Sequence, residues 1–174
     1  MNHSARSIVL IGFMGTGKSS AGRLLSQRLD WPLFDSDALI EKKLKMSIGE
    51  IFSTLGEQHF REEESDVVQR LLPTRPSIIV TGGGVVLRGS NIVRLRELGT
   101  VVCLTSEVND LQKRLLCPSD RPLLQVEDPG RAIEQLLEKR APLYRAAADV
   151  TINTSSLSPD QVADSILDAL AIAK

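Results

Sequence analysis

The chain has 174 residues, 42% hydrophobic and 25% charged, which is long enough to bury a sizeable core and typical of a globular protein. A net charge of −1 and an aromatic content of 3% argue against a nucleic-acid surface and against attraction to an anionic membrane. The apolar stretch Ile8–Met14 is too short to span a membrane, and two cysteines make no disulfide framework, so we expect a cytoplasmic protein.

Short apolar segments alternate with helical patterns along the chain. The predicted strands are Ser7–Ile11, Pro32–Phe34, Ser77–Val80, Thr100–Leu104 and Val150–Ile152. The predicted helices are Lys18–Leu29, Ala38–Leu44, Ile48–Leu72, Asn91–Leu98, Val108–Leu115, Gly130–Ala147 and Pro159–Ala171. Strands that alternate with helices pair through right-handed crossovers, so the pattern predicts an α/β fold with a parallel sheet covered on both faces. No repeat or linker interrupts it, and we expect one domain over residues 1–174.

The first predicted strand leads directly into a phosphate-binding loop. Residues 12–19 fit the pattern G-x-x-x-x-G-K-[ST] at every fixed position. In such a loop, backbone N–H groups and the dipole of the following helix bind phosphate. Lys18 would contact the β- and γ-phosphates, and the Ser19 hydroxyl would bind Mg²⁺. The strand before the loop and the helix after it argue against a chance glycine-rich turn, and the dinucleotide fingerprint G-x-G-x-x-G does not fit.

Two aspartates follow the second predicted strand. Asp35 and Asp37 are two residues apart, so both side chains can project toward the phosphate loop. Carboxylates at the end of a parallel strand can hold Mg²⁺ through water or accept a proton from an attacking hydroxyl. The alternative for Asp37 is that it caps the helix predicted to begin at Ala38.

A charged segment occupies the middle of the long predicted helix. Arg61 and Glu64 are three residues apart and share a helix face. We interpret Glu62 and Glu63 as solvated surface charges and His59 as a surface residue.

Three glycines, Gly82 to Gly84, follow the third predicted strand. They would expose backbone N–H groups and let a ligand approach closely, and a flexible turn is the alternative. Many phosphate-loop proteins carry an acid at this point, and its absence here favours Asp35 as the acid on the metal side. Further along, Ser90 is a predicted N-cap and Gly99 a predicted C-cap.

The last third of the chain contains the remaining candidates. Cys103 lies in an apolar run and is expected in the core. The segment from Cys117 to Pro129 contains three prolines and no clear periodicity, which is typical of a mobile loop. Arg121 in that segment and Arg140 beyond it are candidate cations for phosphate or carboxylate, although each alone is more simply interpreted as a surface arginine. Ser158 and Pro159 are a predicted N-cap and first residue of the last helix.

From Ile8 to about Pro159, the chain resembles the shikimate kinases, small phosphate-loop enzymes of the nucleoside-monophosphate-kinase type. The phosphate loop alone is generic, whereas an ordered set of further motifs is specific. The set is Asp35-x-Asp37, Phe60-Arg61-x-x-Glu64, Gly82-Gly83-Gly84, Arg121-Pro-Leu-Leu and Arg140-x-Pro-Leu-Tyr. The resemblance implies a three-layer α/β/α phosphate-loop kinase fold with a five-stranded parallel sheet in the order 2-3-1-4-5.

The resemblance also implies the reaction and its residues. The enzyme would transfer the γ-phosphoryl group of ATP to the 3-hydroxyl of shikimate, with Mg²⁺, on the pathway to chorismate and aromatic amino acids. The implied ATP-binding residues are Gly15, Thr16, Gly17, Lys18, Ser19, Ser20, Arg114 and Arg121. The implied shikimate-binding residues are Asp37, Arg61, Gly82, Gly83, Gly84 and Arg140. Ser19 and Asp35 would serve Mg²⁺, and Lys18, Asp37 and Arg121 would be catalytic.

The same resemblance divides the predicted domain into regions. Residues 38–72 would form a helical substrate-binding region, and residues 117–129 a lid that carries Arg121. We expect a monomer whose partners are shikimate and ATP, without nucleic acid or membrane. One departure is visible: the family often has a basic residue near the last helix that packs on adenine, and Ser155–Ser158 contains none.

Two alternatives remain at the level of sequence. The first is a kinase of another small hydroxylated acid such as gluconate, which a pair of arginines would bind equally well. The second is a non-catalytic nucleotide-binding relative, although such a protein would be expected to have lost Lys18, Asp37 or Arg121. A GTPase is disfavoured because no Asn-Lys-x-Asp motif occurs.

Overall fold

The computed structural model describes residues 6–115, 122–124, 126 and 128–172. The strands are β1 (Ser7–Gly12), β2 (Leu33–Asp35), β3 (Ile78–Val80), β4 (Gly99–Thr105) and β5 (Val150–Asn153). The helices before the third strand are α1 (Lys18–Leu29), α2 (Ser36–Leu44), α3 (Ile48–Thr54) and α4 (Gly56–Arg70). The later helices are α5 (Gly89–Leu98), α6 (Val108–Leu115), α7 (Pro129–Ala147) and α8 (Pro159–Ala169).

All five strands form one parallel sheet in the order β2-β3-β1-β4-β5. The predicted fold class and strand order are therefore confirmed. The central strand, β1, pairs with β3 on one side and with β4 on the other, and its last residue, Gly12, pairs with Leu104. Because parallel strands end at the same edge, the loops that follow β1, β2 and β3 converge where ligands bind in such sheets.

Both faces of the sheet are buried, which explains why its strands lack alternating polarity. Val9 and Ile11 of β1 pack into one core cluster with residues of α4, α5, α6 and α7. Ile8 and Leu10 point to the opposite face and pack with α1 and α8. A third cluster, around Ile40, Ile51 and Phe60, joins α2, α3 and α4 beside the sheet.

The prediction of one helix over Ile48–Leu72 is wrong, since two helices, α3 and α4, meet at Leu55 and Gly56. Gly56 has a φ of +85°, in the left-handed region that a continuous α-helix excludes. The helical periodicity continues through the break, so the spacing of apolar residues did not reveal it.

The starts of two predicted helices also differ. Helix α2 begins at Ser36 and its N-cap is Asp35, which accepts from the amides of Asp37 and Ala38; the capping role considered for Asp37 therefore belongs to Asp35. Helix α5 begins at Gly89 with Arg88 as N-cap, so the prediction for Ser90 is wrong. The N-cap Ser158 is confirmed, within a reciprocal capping box.

Gly99 ends α5 as predicted, but not for the predicted reason. Its φ of −173° is extended backbone, and it is also the first residue of β4. A Cβ at this position would lie 2.0 Å from the carbonyl oxygen of Ser7. Glycine is therefore required here by the close approach of β4 to β1.

Among the described residues, no helix is long and apolar enough to cross a membrane.

Candidate active site

The phosphate loop between β1 and α1 is held open by its own backbone and side chains. Gly15 and Gly17 have φ values of +81° and +92°, which favour glycine. The Thr16 hydroxyl is buried and donates to the Phe13 carbonyl at 2.8 Å. The Thr16 amide donates to the same carbonyl at 3.4 Å, so Thr16 braces the loop, and its contact with ATP stays a prediction.

Lys18 is 8% exposed, and its Nζ donates to the carbonyls of Gly12 and Phe13 at 2.9 Å each. Gly17, the residue before α1, has no side chain that could cap the first N–H groups of the helix. Lys18 and the first residues of α1 line the same cavity, an arrangement suited to binding an anion. The exposed Ser19 is the first residue after this lysine.

Asp35 and Asp37 lie at the end of β2 and in the first turn of α2. Asp35 Oδ1 accepts from the backbone amides of Asp37 at 3.0 Å and Ala38 at 3.4 Å. This cap fixes the direction in which α2 leaves the sheet and sets Asp37 beside the glycines that follow β3. A Cβ on Gly82 would lie 2.7 Å from Asp37 Oδ1.

The pKa of the Asp37 carboxyl is raised from 3.8 to about 6, chiefly by burial and next by the neighbouring negative charge of Asp35. The positive charges of Lys18 and Arg61 lower this pKa and so favour the ionised carboxylate near neutral pH. A carboxylate with a pKa close to the working pH is suited to accept a proton.

Arg61 is buried on the face of α4 that points toward the sheet ends. Its Nη1 donates to Glu64 at 3.0 Å, and its Nε and Nη2 donate to Glu57 Oε1 at 3.2 and 3.1 Å. The guanidinium carbon also lies 5.0 Å from the centre of the Phe60 ring, within range of a cation–π interaction. The guanidinium is therefore fixed in orientation before any ligand binds.

Glu64 is 1% exposed, and its Oε1 is buried without a hydrogen-bond partner among the described residues. Burial raises the pKa of Glu64, while the positive charge of Arg61 lowers it. A Cβ on Gly82 would lie 2.7 Å from Glu64 Oε1 as well as from Asp37 Oδ1. Glu64 therefore belongs to the site, although its sequence position suggested only a shared helix face with Arg61.

Arg140, in α7, is 4% exposed, and its Nη1 donates to the Gly83 carbonyl at 3.3 Å. The Tyr144 hydroxyl donates to the same carbonyl, and burial raises its pKa. Two side chains one turn apart on α7 thus hold the glycine segment. The role of Tyr144 was not predicted, because only the packing of α7 across the sheet reveals it.

A cavity of about 510 Å³ connects the phosphate loop with the ends of β2 and β3 on one side and with the start of α8 on the other. Among the residues assigned from the sequence, its lining includes Gly15, Thr16, Gly17, Lys18, Ser19, Ser20, Asp35, Asp37, Gly82, Gly83 and Arg114. Arg61, Gly84 and Arg140 do not line the cavity. Arg140 contacts its wall through the Gly83 carbonyl, and Arg61 lies beside Gly84 and pairs with Glu64, which is close to Gly82. Arg121 lies outside the described residues, as does most of the segment 117–129.

The remaining sequence assignments divide between surface and core. His59 has a side-chain exposure of 40% and Glu62 is exposed, as predicted. The prediction for Glu63 is wrong, because its side chain is 16% exposed and pairs with Lys43 at 2.5 Å. Cys103 is in the core as predicted, and burial raises the pKa of its thiol to about 11. Within the described part of the chain, no group of three His, Cys, Asp or Glu side chains could hold a metal ion.

Comparisons with known proteins identify the family. The family model for shikimate kinase matches residues 14–171. A shikimate kinase of Thermodesulfovibrio yellowstonii is 46% identical over 162 residues, 93% of each chain. The chain belongs to the shikimate kinase family. The family prediction is confirmed, and with it the prediction of an ATP-dependent small-molecule kinase.

Solved structures of shikimate kinases match over nearly the whole chain. A shikimate kinase from Acinetobacter baumannii, in complex with shikimate, has a TM-score of 0.92 at 36% identity. The match covers 97% of this chain and 94% of the Acinetobacter chain. A shikimate kinase from Aquifex aeolicus has a TM-score of 0.79 at 32% identity, with coverages of 95% and 96%. A gluconokinase from Sinorhizobium meliloti reaches a TM-score of only 0.54 at 17% identity, so it shares the fold alone.

Proposed function

We propose that this shikimate kinase family member transfers the γ-phosphoryl group of ATP to the 3-hydroxyl of shikimate, and thereby serves the pathway to chorismate. One observation supports this proposal above the others. Asp37, a carboxyl whose pKa is raised to about 6, lines the cavity beside the phosphate loop, and two buried arginines, Arg61 and Arg140, lie near the glycines of the same wall. The phosphate-binding loop, a proton acceptor and two cations for a carboxylate are thus close together. Phosphorylation of a hydroxylated acid requires all three.

The proposed acceptor site accounts for both ends of shikimate. The guanidinium groups of Arg61 and Arg140 bind its carboxylate, since each offers planar N–H donors suited to bidentate contacts. Gly82, Gly83 and Gly84 allow the ring to approach the backbone closely. This arrangement orients the ring so that one hydroxyl faces Asp37.

The residues present also fit Mg²⁺, which is bound through oxygen ligands and water. The Ser19 hydroxyl and the Asp35 carboxylate both line the cavity. Asp35 Oδ1 accepts from the amides of Asp37 and Ala38, so this carboxylate is fixed in place and would help to hold the ion through water. Bound with ATP, the ion would neutralise part of the phosphate charge.

In the proposed mechanism the chain supplies positioning and charge. Asp37 accepts the proton of the attacking hydroxyl. Lys18 exchanges its two carbonyl partners for phosphate oxygens and stabilises the charge on the transferred group. The loop amides hold the remaining phosphates, and Arg114, which lines the cavity, contacts ATP.

The regional assignments complete the proposal. We assign residues 38–72 to acceptor binding, residues 117–129 to a lid that excludes water, and Arg121 to the phosphates during transfer. Every residue named in this mechanism comes from one chain, and we propose that a monomer is active.

A coupled assay for ADP release, with shikimate and gluconate as parallel acceptors, tests the proposal. Turnover with shikimate and Mg²⁺, little with gluconate, and none with a folded Lys18→Ala variant is the expected result. Preferential turnover with gluconate would favour the other acid kinase, and no turnover with either acid, alongside measurable ATP binding, would favour a non-catalytic relative.

A further inference from the structure

The glycine segment after β3 is held by side chains from two different helices. The amide of Gly82 donates to Ser36 Oγ, in the first turn of α2, at 3.1 Å. The carbonyl of Gly83 accepts from Arg140 Nη1 at 3.3 Å and from the Tyr144 hydroxyl, both in α7. Under the proposed function Arg140 binds the carboxylate of the acceptor, whereas Tyr144 has no task in the reaction.

Gly83 lies between α7 and the phosphate loop. A Cβ at this position would lie 3.3 Å from the amide nitrogen of Met14 and 3.6 Å from the carbonyl oxygen of Gly12. The backbone of Gly83 is therefore packed against the loop on one side, and the donors of α7 bind its carbonyl on the other. The position of Gly83 thus sets the spacing between the phosphate loop and Arg140.

The Tyr144 side chain is 3% exposed and packs in the core cluster with Ile11 of β1 and Cys103 of β4. Burial raises the pKa of its hydroxyl, so this group stays protonated and can donate throughout the neutral range. The positive charge of Arg140 lowers the same pKa, because the two side chains are one turn apart on α7. The hydroxyl and the guanidinium group therefore meet at one carbonyl, that of Gly83.

Arg140 has two uses for its donors. Its Nη1 donates to the Gly83 carbonyl in this structure, and under the proposed function its N–H groups bind the acceptor's carboxylate, which is the stronger partner because it is charged. Turning the guanidinium group toward that carboxylate weakens its bond to Gly83. Leaving a part-buried carbonyl without a donor costs free energy. The Tyr144 hydroxyl already binds this carbonyl and satisfies it whichever way Arg140 turns.

We propose that Tyr144 is a positioning residue of the acceptor site. Its hydroxyl holds the Gly83 carbonyl, so that Arg140 can give its donors to the acceptor while the glycine segment keeps its distance from the phosphate loop. Tyr144 does not line the cavity and acts through Arg140 and Gly83. The inference rests on the proposed function, since it requires an acceptor whose carboxylate Arg140 binds.

The Tyr144→Phe variant of the complete protein tests this, because phenylalanine keeps the ring and its packing and removes only the hydroxyl. We expect the dissociation constant and the KM for shikimate to rise about threefold to twentyfold, and kcat and ADP affinity to change by less than about twofold. Titration calorimetry with shikimate and with ADP, together with steady-state kinetics, measures these values. A purely structural hydroxyl would affect stability without separating shikimate from ADP.

Ser77→Ala is the matched control. Ser77 is 1% exposed, and its hydroxyl donates to the Arg75 carbonyl at 2.8 Å. It directly precedes β3, at the end of this strand opposite the glycines. Like Tyr144→Phe, this change removes one hydroxyl that binds a backbone carbonyl, and it should leave shikimate binding unchanged. Urea denaturation of both variants measures how much stability each has lost.

A double-mutant cycle with Arg140→Lys decides whether Tyr144 acts through Arg140. Once the guanidinium group is absent, Tyr144→Phe should weaken shikimate binding by less than about a further twofold, whereas two independent residues would give losses that multiply. Nearly equal binding by Arg140→Lys and by the double variant would therefore support the proposal.

Four results would overturn the proposal. They are unchanged shikimate binding by Tyr144→Phe, equal losses for shikimate and ADP, an equal loss of shikimate binding in Ser77→Ala, and losses that multiply in the cycle. Failure of the proposed function would look different, because the unmodified protein would then neither bind nor phosphorylate shikimate. That result would contradict both proposals.

Discussion

Asp37 is the residue at which the two halves of the site meet. It lies beside Gly82 and Glu64, and the positive charge of Lys18 in the phosphate loop lowers its pKa. Its position follows from the cap that Asp35 forms at the start of α2. The pair of aspartates was visible in the sequence, and both line the cavity, but which of them also caps α2 depends on which one ends the strand.

We predict that Asp37→Asn lowers kcat by about 10²–10⁴-fold, because asparagine keeps the size but cannot accept a proton. In the unmodified enzyme kcat/KM should fall about tenfold per pH unit below about pH 6, as the carboxylate is protonated. Steady-state kinetics from pH 5 to 8 measures both. An Asp37→Asn enzyme with normal kcat and weakened shikimate binding would make Asp37 a positioning group.

The two arginines behind the cavity wall give a second prediction. Arg61→Lys and Arg140→Lys should each weaken shikimate binding by about 1.5–3 kcal/mol and change ATP binding little, since lysine cannot reproduce a bidentate contact. Calorimetry with each ligand measures this. Arg70→Lys, at an arginine of α4 with 78% side-chain exposure, is the control and should affect neither ligand. Equal losses for shikimate and ATP would contradict the assignment.

Among single residues, those in contiguous motifs could be predicted and those that act through tertiary contacts could not. Lys18 and Ser19 follow from the loop pattern, because strand, loop and helix are adjacent in the chain. The bond from Tyr144 to Gly83 joins residues 61 positions apart. The buried, unpartnered oxygen of Glu64 likewise depends on how α4 packs against the end of β3.

At the scale of elements, the junction between α3 and α4 shows what apolar spacing cannot reveal. Phe60 and Ile51 bury their side chains in the same small cluster, so the spacing continues across the break. The positive φ of Gly56 sets the angle between the two helices. A glycine permits this conformation but does not require it, so the sequence alone could not reveal the break. The break orients α4 independently of α3, and with it Arg61 and Glu64.

We predict that Gly56→Ala destabilises the protein by about 1–2 kcal/mol, because a Cβ disfavours its φ of +85°. Gly89→Ala is a matched control, since an added Cβ meets nothing within 4 Å at either position and only Gly56 has a positive φ. Urea denaturation of the two variants measures the difference. Equal free energies of unfolding would show that the junction relaxes into a continuous helix.

At the scale of the whole molecule, the buried carboxylate of Asp37 lowers the stability of the fold. The folded protein binds a proton at Asp37 more tightly than the unfolded chain, because the pKa of this carboxyl rises from 3.8 to about 6 on folding. The ionised carboxylate therefore lowers the free energy of unfolding above about pH 6. This effect disappears as the pH falls below about 4.

Asp37→Asn should accordingly stabilise the protein by about 1–3 kcal/mol at pH 8 and by much less at pH 4. Thermal or urea unfolding of the unmodified protein and of Asp37→Asn at the two pH values measures the gain. The comparison at pH 4 is the control for the comparison at pH 8. A gain that does not depend on pH would mean that the carboxylate is not strained by its surroundings. An inactive but more stable Asp37→Asn protein would be typical of a residue kept for function.

The sheet itself was the most predictable feature of the molecule. Its strands are buried on both faces, so each is a short apolar run, and alternation with helices fixes the parallel sense. The order of the strands came from family resemblance, since periodicity alone carries no information about which strands are neighbours. Close approaches such as that of Gly99 to Ser7 follow only once that order is known.

The three glycines after β3 also limit how this enzyme can evolve. A Cβ on Gly84 would lie 2.0 Å from Arg61 Nη1, and one on Gly82 would crowd both Asp37 and Glu64. A single substitution at either glycine therefore displaces a group that the acceptor needs. Change toward another acid, or escape from an inhibitor that lies on these glycines, would require a paired substitution of a glycine and its neighbour. Such paired steps are rare, so this side of the cavity should vary far less than its opposite side, at the start of α8.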